Sequence, residues 1–196
     1  ENFSPSYPGA VSLFVKDTAT LSKYKKNITV YGNTNFKKKY PIKYHNIPLS
    51  NFRFKSKSKQ YVEKFIYNEK ENPSDLIEVH NRPNYLSEIV NSLGKKNLVL
   101  YFHNDPLTMS GSKSITERKY LLKICYKIIF NSNWSKKRFL EGMQNKFVNS
   151  EKLLVVFQSA KKININPKNK KKEITFVGKL NRSKGYDIFG KAVLKI

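Results

Sequence analysis

The chain has one cysteine, Cys125, so neither an internal disulfide framework nor a cysteine-built metal cage can form within its 196 residues. Acidic residues are few, 14 against 38 lysines and arginines, which leaves a net charge of +24. Long apolar runs are missing: the longest, residues 98–102 and 153–157, are far short of the roughly 20 needed to cross a bilayer. Three nucleotide and hydrolase signatures are also missing. There is no G-x-x-x-x-G-K-[ST] loop, no G-x-G-x-x-G turn and no G-x-S-x-G elbow. P-loop, dinucleotide and serine-hydrolase readings therefore have no motif to rest on.

Arginine is scarce as well, five residues against 33 lysines. A charge this large favours polyanionic partners such as nucleic acid, anionic lipid or a phosphorylated substrate. Lysine together with abundant asparagine and isoleucine equally fits a compositional bias spread as a solvated surface. No signal-peptide pattern is seen, so the expected location is the cytoplasm, with peripheral contact at an anionic inner membrane. The chain begins at Glu1 and stops within a periodic segment, and the expectation is a fragment whose first strand is also missing.

What is present is an alternation of strand and helix patterns. Val11, Phe14, Val15, Thr18 and Ala19 form a helical stripe after Pro8-Gly9, and residues 28–31 read as a short strand ending at Gly32. Residues 40–49 are extended, after a solvated lysine loop at 37–39. Tyr61, Val62, Phe65 and Ile66 repeat at helical spacing. Residues 76–79 read as a strand, then Tyr85, Leu86, Ile89, Val90 and Leu93 as a helix stopped by Gly94. Residues 97–102 are a nearly continuous apolar strand, as expected where both sheet faces are covered.

Ser114-Ile115-Thr116-Glu117 fits a capping box, and Leu121, Leu122, Cys125 and Ile128 continue that helix face. Residues 128–130 are a strand, Ser132 caps a helix carrying Trp134, Arg138 and Met143, and 153–157 form another strand. The fold class expected is α/β, a Rossmann-like parallel sheet with helices on both faces. It spans residues 1–160, with a lysine-rich linker at 161–172. Residues 173–196 restart the pattern as the first βα unit of a second, truncated domain.

Ligands of open parallel sheets bind beyond the carboxyl ends of the strands. Two strands here end alike, in His80-Asn81-Arg82-Pro83 and His103-Asn104-Asp105-Pro106. Histidine polarises or deprotonates a hydroxyl near neutral pH, and Asn and Asp bind sugar hydroxyls. His45 falls in a weakly patterned stretch and is not assigned a role. With only Asp105 at hand as a third ligand, a metal site is not expected. At the other end of the chain, the strand pattern 174–177 opens through Gly178 onto Lys179, Arg182 and Lys184 before a helix, an arrangement suited to a diphosphate.

Phe176-Val177-Gly178-Lys179-Leu180 followed by Lys184-Gly185-Tyr186-Asp187 resembles the start of the C-terminal domain of family 4 glycosyltransferases of GT-B fold. The His103–Pro106 strand end, the junction Ile129-Phe130-Asn131-Ser132-Asn133-Trp134 and the Pro8-Gly9 loop resemble that family's N-terminal domain. Residues 75–83 are similar to bacterial members that build envelope polysaccharide, including lipopolysaccharide. The resemblance implies two Rossmann-like domains facing across a cleft. It also implies retaining transfer of a hexosyl-type sugar from a nucleotide-diphosphate sugar, without metal or other cofactor, to a glycan or lipid-linked acceptor.

Carried over by position, Gly9, Gly178, Lys179, Arg182 and Lys184 would bind the donor, and His103 would be catalytic. His80, Asn81, Arg82, Asn104 and Asp105 would face the acceptor. The sequence departs from the family pattern at three points. Lys179 stands where arginine is usual, and Pro8 replaces the first glycine of a Gly-Gly loop. The family's E-x7-E pair would lie beyond Ile196, so the piece alone is expected to be inactive. The rival reading is a non-catalytic basic module that binds nucleic acid or another polyanion; no recognised nucleic-acid motif supports it.

Overall fold

The computed structural model describes residues 2–51, 55–94, 97–144, 147, 150–159, 173–178 and 180–195. The chain divides into two compact units, Glu1–Ser159 and Ala160–Ile196.

The first unit is α/β, with parallel sheets flanked by helices. In chain order it contains α1 (Ala10–Leu21), β1 (Val30–Gly32), β2 (Tyr44–Asn46), α2 (Lys57–Glu71), β3 (Ile77–His80) and α3 (Leu86–Leu93). These are followed by β4 (Leu98–Phe102), α4 (Ile115–Ile124), β5 (Lys127–Phe130), α5 (Asn133–Leu140) and β6 (Leu153–Val155). The expectation of one sheet needs correction. β1 and β2 form a two-stranded parallel sheet of their own, and β3-β4-β5-β6 form a four-stranded parallel sheet in sequence order.

Local chemistry sets the helix ends. The Ser56 side chain accepts from the Lys59 amide at the start of α2. Ser114 and Glu117 close a reciprocal capping box on α4, each side chain taking the other's orphan amide. Ser132 accepts from the Ser135 amide on α5. Gly94, with φ +71°, ends α3.

Two helices are shorter than their apolar pattern suggests. α4 stops at Ile124, so Cys125 is its C-cap and Ile128 belongs to β5. Cys125 is nonetheless core, and burial pushes its thiol up to about 12. α5 stops at Leu140, before Met143, because the chain turns at Glu141 and Gly142, the latter with φ +74°. Trp134 on α5 is exposed rather than packed, and so is Thr18 on α1. β6 ends at Val155, and Phe157 beyond it is exposed.

The main core lies on one face of the four-stranded sheet. Ile77 of β3, Leu98, Leu100 and Phe102 of β4, Ile128 and Phe130 of β5 and Leu153 of β6 share it with residues of α2, α3, α4 and α5. Phe102, Phe130 and Phe139 form its densest point, with ring centroids 5.3–5.7 Å apart. Burying such a side chain contributes roughly 2–3 kcal/mol. Side chains alternate along a strand, so the opposite face carries Glu78 and His80 of β3, Tyr101 of β4 and His103 just beyond it. β4 is buried at all five positions, whereas β3 and β5 are not. Continuous coverage of both faces therefore holds for β4 and not for its inner neighbour β5.

The second unit contains a short 3-10 turn, Arg182–Lys184, and α6 (Tyr186–Val193). The strand expected at 174–177 is not formed. Residues 173–177 have no regular structure, and Val177 is 91% exposed. A strand is stable only when its amide and carbonyl groups are paired, and no described segment of this unit pairs with it. The expected linker at 161–172 lies outside the described residues.

Candidate functional site: a histidine pair at the strand ends

His80 is the last residue of β3 and stands in register with Tyr101 of β4. Tyr101 and His103 are two apart, so their side chains leave the same face. The result is a stack: Tyr101 and His103 ring centroids lie 4.4 Å apart at an interplanar angle of 14°, and His80 and His103 lie 5.2 Å apart at 25°. His80 Nδ1 is 2.9 Å from His103 Nε2. Glu78, two residues before His80 and on its face, brings Oε1 to 2.8 Å from His80 Nε2. At the other end of the row, Gln158 Nε2 is 2.9 Å from His103 Nδ1. Phe14 of α1 covers the pair, its ring 4.9 Å from both His103 and Tyr101.

The His103 backbone is clamped between two asparagines. Its amide donates to Asn81 Oδ1 at 2.8 Å, and its carbonyl accepts from Asn131 Nδ2 at 2.8 Å. Asn81 follows β3 and Asn131 follows β5, so the strand ends on either side hold the end of β4. Asn81 takes this role with φ +54°, a left-handed conformation that asparagine tolerates better than most residues.

Electrostatics favour a neutral His103. Burial is the main cause, and the neighbouring His80 adds to it; together they push the imidazole down to about 4 against the opposing pull of Glu78. For Glu78, burial pushes up, but the hydrogen bond from His80 and the electrostatics of the two imidazoles prevail and hold the carboxyl below its usual range. A neutral, partly desolvated imidazole beyond the end of a parallel strand can exchange hydrogen bonds with a hydroxyl or carry its proton.

The other expected residues divide into several groups. Asn81 Oδ1 accepts from the backbone amide of His103, and Arg82 turns back to donate to the Asn81 carbonyl at 3.1 Å. Asp105 is already engaged, capping the turn at Pro106–Thr108 through Leu107 and pairing with Arg138 of α5 at 3.2 Å. Asn104 is exposed beside it. Gly9 is the N-cap of α1 with φ −84°, a conformation open to any residue, so the helix start does not itself demand glycine there. His45 packs against Tyr31 and takes no part in the cluster.

In the second unit, a Cβ built on Gly178 would lie 3.2 Å from the Phe176 ring and 3.9 Å from Lys184 Cβ, so the glycine sits close to that lysine. The amide of Lys184 is held by Asn181, and Arg182 is exposed. Lys179 lies outside the described residues.

Sequence reasoning missed Glu78, Tyr101, Phe14 and Gln158. A period-2 pattern marks the first two, each two residues before a strand-end histidine, and Phe14 lies on the α1 stripe. Gln158 carries no local signal. Among the described residues no three histidine, cysteine or carboxylate side chains converge as a metal site. No protein-family model, curated protein or solved structure matches the chain.

Proposed function

We propose that the chain is the acceptor-binding domain, with the opening of the donor-binding domain, of a retaining glycosyltransferase of GT-B fold acting in envelope polysaccharide synthesis. The observation that carries this reading is the meeting of His80 and His103, 2.9 Å apart, at the carboxyl ends of adjacent parallel strands. That is where α/β sheets bind ligands, and the chemistry gathered there suits a sugar hydroxyl. The closeness of Gly178 to Lys184 supports a diphosphate role for the second unit. His103 contacts the acceptor hydroxyl or the transferred sugar, and Lys184, with Lys179 and Arg182, neutralises the departing nucleoside diphosphate. No metal or other cofactor takes part.

The end of α1 supports peripheral contact with anionic lipid. Leu21 is 86% and Tyr24 60% exposed, and Lys23, Lys25 and Lys26 surround them. Apolar and aromatic tips among lysines suit the interfacial zone of an anionic bilayer. Among the described residues no helix is long and apolar enough to cross a membrane.

The test has two steps. The coding sequence past Ile196 is read for an E-x7-E pair within about a hundred residues, the rest of a domain. The protein so extended is then assayed for release of nucleoside diphosphate from a panel of nucleotide-diphosphate sugars. Lys184→Ala is expected to lower turnover at least tenfold. A stop codon shortly after Ile196, or near-normal turnover in Lys184→Ala, overturns the reading or that role respectively.

A further inference from the structure

The four-group row Glu78, His80, His103 and Gln158 has a direction. Glu78 is held ionised, and a carboxylate can only accept. His80 Nε2 must therefore carry the proton that lies between it and Glu78, across 2.8 Å. In a neutral imidazole the other nitrogen is then a bare acceptor, so His80 Nδ1 accepts. The group facing it at 2.9 Å is His103 Nε2, which must be the donor. By the same rule His103 Nδ1 is bare. What meets that bare nitrogen is the Gln158 side-chain amide, a donor, again at 2.9 Å. Glu78, able only to accept, imposes this pair of tautomers, and the Gln158 amide, which can turn to present either its nitrogen or its oxygen, is oriented in keeping with them. The opposite polarity would need an imidazolium at His80.

The two ends of the row are anchored differently. Glu78 and His80 both leave β3, inside the sheet, with side chains 43% and 17% exposed. Gln158 is exposed, three residues past the end of β6. An exposed amide on a chain segment leaving the sheet is the member of the row that a ligand can replace. Whatever replaces it meets a lone pair, not an N–H.

We infer that Glu78 and His80 are positioning residues that fix His103 in the Nε2–H tautomer, so that Nδ1 recognises a hydrogen-bond donor of the ligand, a hydroxyl, in the place Gln158 fills. The assignment of the tautomer stands on the row itself; its extension to a sugar hydroxyl rests on the glycosyltransferase reading. The same direction serves proton removal. A hydroxyl that gives its proton to His103 Nδ1 leaves an imidazolium, whose Nε2 proton passes to His80 Nδ1 as the His80 Nε2 proton moves toward Glu78. Charge is conserved at each step, and the alkoxide retains the electron pair of its O–H bond.

The experiment is long-range proton–nitrogen NMR of the 196-residue protein labelled at histidine, at neutral pH. His80 and His103 are each expected to show a protonated Nε2 and an unprotonated Nδ1. Glu78→Gln, whose amide can donate or accept, is expected to abolish the single tautomer at both rings, and Glu78→Asp to restore it. Gln158→Leu leaves the tautomer in place, because Glu78 sets it. Methyl glucoside is then added as the probe, beside its fully O-methylated form, which has acceptors and no donors. The His103 Nδ1 resonance should move with the first and not the second.

A protonated His103 Nδ1, an imidazolium at His80, or tautomers indifferent to Glu78→Gln would overturn the inference. Correct tautomers with no response to methyl glucoside, or an equal response to its O-methylated form, would overturn the hydroxyl recognition and the sugar-acceptor role of this site while the tautomer assignment stands.

Discussion

Asn81 holds His103 by the main chain, its Oδ1 accepting the His103 amide at 2.8 Å while its own backbone sits at φ +54°. One residue thus provides two things: an acceptor for a partly buried amide, and tolerance of a left-handed conformation. Asn81→Ala loses both. An amide left unpaired costs about 1–3 kcal/mol, and the left-handed conformation about 1–2 kcal/mol for alanine. We expect a loss of about 3 kcal/mol in urea unfolding, with Asn81→Gly recovering only the backbone part. Equal stability of the alanine and glycine variants would show that the conformation costs nothing there.

Gly111 and Gly94 test whether the turns that carry the site are fixed by space or by conformation alone. Both have positive φ, +91° and +71°. A Cβ on Gly94 would meet nothing within 4 Å. A Cβ on Gly111 would lie 2.5 Å from the Asn84 nitrogen and 2.9 Å from the Pro83 carbonyl carbon, so the loop after β4 rests directly on the backbone that follows β3. Gly94→Ala should cost about 1 kcal/mol. Gly111→Ala adds a clash with main chain that no rotamer relieves, and about 3 kcal/mol or more is expected. Unfolding midpoints of the two variants measure the difference, and similar midpoints would refute the contact.

These positions also show what the sequence could disclose. The repeated His-Asn-x-Pro at two strand ends marked the site, since a parallel sheet must bring adjacent strand ends together. The capping box at Ser114 and the stop at Gly94 were legible because they are local. The split into two sheets was not, because pairing depends on neighbours that no local pattern names. The strand at 174–177 was legible as a pattern yet is not formed, since an apolar run becomes a strand only against a partner. Gln158 is the extreme case. It lies 55 residues from His103 along the chain, and only the geometry of β6 brings it there.

Arg118 shows a cation serving structure. It is 3% exposed, and its guanidinium donates to the carbonyls of Lys113 at 2.8 Å and Glu141 at 2.6 Å. It therefore ties the start of α4 to the turn that ends α5. Arg118→Met keeps much of the packed stem but leaves carbonyls without donors, and the expected cost is about 3 kcal/mol. Arg118→Lys, with a point charge in place of a fork, should recover part of it. A methionine variant as stable as the parent would mean that water serves those carbonyls as well.

The basic end of α1 predicts a measurable attraction to lipid. Vesicles containing anionic phosphatidylglycerol should bind the protein at low salt and release it as salt rises, because each lysine near the surface contributes about 1 kcal/mol through a screened field. Any protein of this charge would do as much, so the informative variant leaves the charge alone. Leu21→Ser with Tyr24→Ser removes only the exposed apolar tips and should weaken binding several-fold in co-sedimentation at fixed salt. Unchanged binding would reduce the contact to diffuse electrostatics.

Acid should weaken the fold through the same imidazole that the site depends on. His103 is pushed down to about 4 in the folded protein, against 6.5 when free. As pH falls from 6.5 toward 4, the unfolded chain takes up a proton on this ring and the folded chain does not, so stability falls through that window. Below about 4 the group contributes no further change. Glu78 acts in the same sense at lower pH. Its folded value is depressed below 4.5, so its contribution is present above 4.5 and is lost as pH falls through the folded value.

Urea midpoints between pH 7 and 5 should therefore drop for the parent and drop less for His103→Asn, which has no proton to take up. The ring's own titration, followed by proton NMR, should have its midpoint near 4 rather than 6.5. A midpoint near 6.5, or equal slopes for parent and variant, would mean that His103 is solvated as a free imidazole would be, and that the aromatic stack of Tyr101, His80 and Phe14 does not shield it.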